Sequence, residues 1–329
     1  MGVVKTKDES VQAGDMPDVR GLHSDTIIRF IPIALLFLVL ILLGVFVDNF
    51  FTTRNILNIL MQSSALGLMA IGMTAVLVTG GIDLSIPAVM AFSAIMGAMF
   101  MRSGGNPILG ALIMILVGTL AGSINGISVA YFKMIPFVVT LAMQAVATGA
   151  SIWVTNQISI SGIPPIFLDT VLAKVGGVGV PVIMLGIFFV IIQVFMTRSV
   201  FGRWLYATGT NARAARVSGI PTARVLLFTY IFSGFMAGLA GIIMTARLSS
   251  AGAQMGPTGM VLDIVASAVL GGVSIYGGVG TALNAVVGAI LITLISNSMN
   301  MMQISYYNTL VFKGIVIIVV VALDALRKR

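Results

Sequence analysis

Apolar runs long enough to cross a bilayer recur from residue 28 almost to the end of this 329-residue chain. A spanning helix needs roughly 20 such residues. In lipid the backbone has to satisfy its own N–H and C=O groups, which leaves helices and closed barrels as the spanning forms. Runs of this length select helices. Charged residues make up 9% of the chain, against roughly 25% in a soluble domain, too few to clothe a surface that faces water. The fold class is therefore all-α, a polytopic membrane protein.

Polar breaks divide the apolar sequence into about ten transmembrane helices, near 28–47, 56–79, 84–101, 107–131, 136–156, 181–197, 223–245, 259–275, 280–297 and 308–323. The first follows a tail, residues 1–27, that carries Asp8, Glu9, Asp15, Asp18 and Asp25. No small-residue cleavage pattern comes after it, so it reads as a retained helix and not a signal peptide. Alternation then assigns every loop to a side. With the N-terminus inside, thirteen Lys and Arg fall in the cytoplasm, and only Arg54, Arg102, Lys174 and Arg247 fall outside. That is the bias of the positive-inside rule. Both termini and the 198–224 loop are expected in the cytoplasm, and 157–180, punctuated by SGIPP and GGVGVP, outside. Residues 28–329 form one transmembrane domain. Its groups 56–156 and 223–323 start on opposite sides, so parity permits inverted five-helix repeats, although the sequence similarity between them is weak.

The net charge of +8 sits in short loops between spans, where it signals topology and not nucleic acid. Several function classes lose their chemistry. The chain has no cysteine, hence no thiol nucleophile, disulfide framework or cysteine-held metal. Its one histidine, His23, lies in the tail, which leaves no serine–histidine pair at membrane depth for an intramembrane protease. No phosphate loop of the form G-x-x-x-x-G-K-[ST] occurs.

Small residues recur at close spacing in two spans, at Gly118, Gly122 and Gly126 and at Gly234, Gly238 and Gly241. They suit close backbone approach between helices. Two polar interruptions differ in kind: TGGIDLSIP at 79–87, with Gly80, Gly81, Asp83 and Ser85, and LGGVSIYGGVG at 270–280, with Gly271 and Gly272. They are candidates for broken or re-entrant elements, tolerated at depth only where protein or water covers the backbone, with an ordinary cytoplasmic turn as the alternative. As an end cap beside Ser85, Asp83 would contribute about 1 kcal/mol.

Residues 209–225, GTNARAARVSGIPTARV, place three arginines where no acid is near. Asn211 suits an N-cap, Gly219 a left-handed C-cap position, and Pro221 cannot continue a helix, so about two helical turns are expected between them. Arg213 and Arg216 share a face, while Ala212, Ala215 and Val217 offer a small apolar surface. So short a helix is not stable alone. It rests either on anionic membrane lipid or on a partner protein. Two charges inside the spans, Asp263 and Lys313, lie about one turn into the eighth and tenth, at ends that parity puts outside. Similar depth and opposite sign make them a candidate ion pair; the alternative is a helix cap for Asp263 and a snorkelling Lys313.

GIDLS at 81–85, NARAARVSGI at 211–220, SGFMAGLAGIIMTARLSSA at 233–251 and DIVASAVLGGVSIYGGVGT at 263–281, in that order, resemble the ribose-type carbohydrate-uptake ABC transporter permeases over roughly residues 30–325. The resemblance implies a permease subunit in the bacterial cytoplasmic (inner) membrane. Its coupling helix would be the segment Asn211, Ala212, Arg213, Ala214, Ala215, Arg216, Val217, Ser218 and Gly219. It also implies an ATPase subunit that holds the ATP and Mg, an external sugar-binding protein, and a second permease, identical or paralogous. A sugar pathway calls for hydroxyl and amide groups, for which Asn125, Thr140, Gln144 and Asn156 are the candidates at depth. Interhelical hydrogen bonding explains the same residues. The rival reading is an ion-coupled secondary transporter of a small neutral solute. Such carriers use ionisable residues or unwound carbonyls near the midplane, and this chain offers chiefly Asp83, Asp263 and Lys313, a scarcity that favours energy supplied from outside the chain.

Overall fold

The computed structural model describes residues 33–34 and 36–327. The acidic tail, His23 and the start of the first expected span lie outside them. Helix α1 is Leu36–Phe46. It is followed by α2 (Thr53–Val78), α3 (Ile86–Arg102), α4 (Pro107–Ala130) and α5 (Pro136–Thr155). A short helix, α6 (Pro165–Val171), and a two-stranded hairpin, β1 (Lys174–Val175) with β2 (Val178–Gly179), come next. Then follow α7 (Val180–Arg198), α8 (Val200–Thr210), α9 (Ala212–Val217), α10 (Thr222–Leu248), α11 (Thr258–Leu270), α12 (Ala282–Met301) and α13 (Tyr306–Arg327). Seven of the described helices are long and apolar enough to cross a membrane, and shorter apolar helices lie at Leu36–Phe46, Ile86–Arg102 and Tyr306–Ile318. The protein is an all-α, multi-pass membrane protein.

Several helices begin at side-chain caps. Thr52 accepts from the Asn55 amide to start α2, and Asn106 accepts from the Ile108 amide ahead of Pro107 to start α4. Two of the helices form the interior: α2, with an unbroken buried run from Ser63 to Val78, and α10. They touch at Gly72, where a Cβ would meet the Ser233 backbone at 3.2 Å. Onto α10 packs α4, backbone against backbone. A Cβ on Gly118 would sit 2.4 Å from the Gly234 carbonyl oxygen, and one on Gly122 would sit 2.2 Å from that of Tyr230. The other face of α4 carries Leu112, Leu116, Leu120 and Ile124, all exposed. Large residues outward and small ones inward is the arrangement lipid favours, since burying a leucine gains little when the solvent is hydrocarbon.

Three expected features change in the structure. The eighth span, drawn to 275, stops at Leu270. A side chain on Gly271 would collide with the Asn284 backbone, the Asn284 amide donates to the Gly271 carbonyl, and Gly272 turns to φ +100°. The 157–180 segment is not plain loop. Gly176 and Gly177 take φ +60° and +84° to close the hairpin, as a two-residue primed turn demands, and Ile160 pairs with Ala251 after α10. Finally, Asn156 is not at depth but is the exposed left-handed C-cap of α5, at φ 48°.

Candidate functional site

Helix α9 is built from its ends. The Asn211 side chain accepts from the amides of Arg213 and Ala214 at 3.1 and 2.9 Å. At the other end Ser218 is the C-cap and Gly219 follows at φ +83°. The Gly219 amide bonds to the Arg216 carbonyl and the Ile220 amide to that of Ala215, each at 3.0 Å. This pair of bonds is a Schellman closure. Within α9 only Ala215 is buried. Ala212, Arg213, Ala214, Arg216 and Val217 face outward, together with Ser218 and Gly219 beyond the helix, and Val217 is 85% exposed. The expected apolar surface of Ala212, Ala215 and Val217 therefore divides. Ala215 is the inward anchor, because it sits one turn before the closure that folds the chain back, and it is unavailable to a partner.

Directly before α9, the end of α8 meets both glycine-rich interruptions. A Cβ on Gly209 would lie 1.7 Å from the Val78 carbonyl oxygen, where α2 ends, and 2.7 Å from the Gly278 amide nitrogen. That amide in turn donates to the Val78 carbonyl at 2.8 Å. Tyr206 fixes the same corner by donating to the Gly280 carbonyl at 2.7 Å. Three segments distant in sequence thus converge on one backbone joint, next to the exposed helix. Nothing in the spacing of the glycines announces this meeting, since each pair is locally explained as a helix stop.

From the joint, Gly80 at φ +79° turns the chain back into the bundle. Asp83 is buried there, 2% exposed. Its Oδ1 accepts from the Ser85 amide and hydroxyl at 3.0 and 2.6 Å, and its Oδ2 accepts from Ser233 of α10 at 2.7 Å. Ser233 lies eleven residues past Thr222, roughly 16 Å along α10 at 1.5 Å per residue. Asp83 therefore does more than cap beside Ser85, since it also ties the interruption to the middle of α10. Asn125 and Thr140, candidates for lining a pathway, belong to the same cluster. The Asn125 amide donates to the Ser85 hydroxyl at 3.0 Å, and the Thr140 hydroxyl to the Pro136 carbonyl at 2.9 Å with Ile82 O at 3.4 Å. Both are fully buried. Gln144, one turn after Thr140 on α5, is half-buried.

At the other end of the bundle, Lys313 of α13 places its Nζ 2.9 Å from Asp263 Oδ2 of α11. It is the single salt bridge among the described residues. The sequence brings this pair together through depth and charge sign alone.

Comparison with known proteins supplies the remaining findings. Residues 55–321 match the family described as branched-chain amino acid transport system / permease component. The chain is 37% identical over 306 residues to the ribose import permease protein of Bacillus subtilis (strain 168), covering 92% of this chain and 95% of that one. To the D-allose transport system permease protein of Escherichia coli (strain K12) it is 38% identical over 280 residues, covering 85% and 86%. To the L-arabinose ABC transporter permease protein of Azospirillum brasilense it is 28% identical over 297 residues, covering 90% and 87%. No solved structure matches.

Proposed function

The chain belongs to the branched-chain amino acid transport system permease family, as a ribose-type carbohydrate ABC permease, and from that premise we propose that α9 is the helix through which its ATPase drives it. It is a transport subunit without an ATP-binding site of its own, part of an ATP-driven importer of monosaccharides. The observation that carries the coupling role is a capped two-turn helix that presents Arg213, Arg216 and an 85% exposed Val217 while only Ala215 turns inward. An exposed apolar residue inside an arginine rim suits a protein cleft better than bare water. ATP and Mg are then held in the partner, and the stroke enters where α8 joins the ends of both interruptions.

The finer arrangement follows the same premise. The seven long and three short apolar helices support ten spans, with α9 and both termini in the cytoplasm by the charge bias. The region 56–156 and the region 223–323 then form inverted repeats around α7, residues 1–27 form a cytoplasmic tail, and 28–329 the permease domain with its loop at 198–224. Two permease chains, identical or paralogous, enclose the pathway in a bacterial inner membrane, and an external binding protein delivers the sugar. Gly80, Gly81, Asp83, Ser85, Gly271 and Gly272 shape the interruptions, and Asn125 and Thr140 brace the first of them.

The test acts on the outward face. Arg213→Glu with Arg216→Glu, or Ala212→Asp, is expected to abolish co-purification with the ATPase and substrate-stimulated ATP hydrolysis, since a carboxylate there would be buried without a partner. Membrane insertion and melting temperature in detergent stay as in the parent. Normal sugar uptake by either variant at parental expression would remove the coupling role. Ala215→Asp, by contrast, tests folding of the loop and not docking.

A further inference from the structure

A cavity with about 110 Å³ of space for water opens among α2, α10, α11 and α12, lined by Gln62, Arg247, Asp263, Thr293 and Ser296 between apolar neighbours. Each water needs roughly 10–15 Å³ of such space, so the cavity holds several, or the hydroxyl face of one sugar ring. It lies at the end of the bundle remote from α9. Arg247 is the residue before the last of α10, whose first turn adjoins α9, and Asp263 is near the start of α11, which ends at Leu270.

Both charged groups here keep bonding capacity that the described residues do not use. Arg247 makes one side-chain contact within hydrogen-bonding criteria, 3.9 Å to the Met244 sulfur, and has no carboxylate partner among the described residues. Asp263 gives Oδ2 to Lys313 and leaves Oδ1 without a partner. Thr293 and Ser296 donate to carbonyls of their own helix at 2.7 and 2.8 Å, which leaves their oxygens free to accept. A planar guanidinium with free donors, the partly exposed carboxylate of Asp263 and hydroxyl acceptors around one wet cavity match groups that both donate and accept. A free anion would meet Asp263 as well as Arg247, and a cation the reverse. A neutral vicinal diol satisfies both without stranding a charge.

We propose that this cavity is a sugar site inside the permease subunit, in which Arg247 and Asp263 read adjacent hydroxyls of a single neutral ring on its way from the delivering protein. The assignment rests on the sugar-importer reading above. Lys313 is a positioning residue that holds the Asp263 carboxylate in place through Oδ2.

The absence of native cysteine makes the test direct. Gln62→Cys and Ser296→Cys each give a single thiol per copy of this chain, studied in the importer assembled with its ATPase and binding protein in membranes, with the cysteine-free parent assembly as the labelling control. A membrane-impermeant thiol reagent added on the binding-protein side is expected to label both, and labelling slows several-fold with sugar-loaded binding protein but not with the empty one. The probe is whichever of D-ribose, D-allose and L-arabinose the parent takes up best, with its deoxy analogues. Arg247→Gln is expected to lower uptake about tenfold, the scale of one charged hydrogen bond, and to weaken discrimination against one deoxy analogue, while ATP hydrolysis stimulated by the binding protein stays within about twofold. Arg247→Lys, which keeps the charge and loses the fork, should show the same loss of discrimination. Thiols unreactive from that side, labelling indifferent to the sugar, or variants that slow all sugars equally would overturn the site. A parent that takes up none of the three sugars would overturn the sugar-importer reading itself, and that result appears before any variant is made.

Discussion

Among the described residues, two carboxylates lie at membrane depth, Asp83 and Asp263, and they live in opposite ways. Asp83 has three hydrogen bonds from two serines and no cation. Its neighbours Asn125 and Thr140 also direct their donors into the protein. Asp263 has a lysine on one oxygen, nothing on the other, and a cavity beside it. A polar residue in lipid is costly in either setting. What separates structural use from use toward a ligand is whether its bonding capacity is exhausted by the chain. Around Asp83 it nearly is, since the one unpartnered atom there is Asn125 Oδ1. Around Asp263 it is not.

The contrast can be broken by experiment, beginning with the scaffold that holds the Asp83 cluster closed. Gly234→Val should have the largest effect, because even a Cβ would lie 2.1 Å from the Gly118 carbonyl oxygen. No monodisperse protein is expected on size-exclusion chromatography in detergent, whereas Gly186→Ala, where nothing lies within 4 Å, should keep or raise the melting temperature. Next, Asp83→Ala strands the Ser85 and Ser233 donors at about 1–3 kcal/mol each. It should lower the melting temperature markedly, and Asp83→Asn, which keeps one acceptor, should lower it less. Equal melting of Asp83→Ala and the parent would mean the tie is ornamental.

At the other cluster the expected losses in stability shrink while those in transport grow. Lys313→Met leaves Asp263 unpaired, at less than the roughly 3–5 kcal/mol of a fully buried pair, because 22% of the Asp263 side chain stays exposed. Exchanging the two, Asp263→Lys with Lys313→Asp, should recover most of that stability. Uptake should not recover, since the carboxylate has moved from α11 to α13; recovery of both would assign the pair to stability alone. Smallest of all, Gln62→Ala is expected to leave the melting temperature unchanged, because its side chain has no bond to lose.

The two clusters also differ in how far they can be read from sequence. Spans follow from apolar length, and the caps of α9 from Asn211, Gly219 and Pro221. The Asp263–Lys313 pair follows from equal depth and opposite sign. By contrast, the glycines of α4 and α10 announce close packing without naming each other as partners. The convergence of Gly209, Val78 and Gly278 depends on contacts between segments 69 to 200 residues apart, which no local pattern encodes. Arg247 reads as an ordinary outer-loop arginine until the fold turns it beside Asp263. Asn125 and Thr140 are legible as buried polar residues, and their use is not, because a hydroxyl or amide at depth looks alike whether it serves the backbone or a passing solute.

The contacts of Gly209 with Val78 and Gly278 under α9 are main chain on main chain, and this has a mechanical consequence. Contacts between long side chains are compliant: a push is absorbed by rotamer changes before any helix moves. Between Gly209, Val78 and Gly278 the contacts are backbone to backbone, with no side-chain torsions to absorb it. A displacement of the α8 end must either travel undiminished into the foot of α2 and the 271–281 segment, or break the Gly278–Val78 hydrogen bond. The corner therefore acts as a rigid crank, whose stiffness comes from the side chains it lacks.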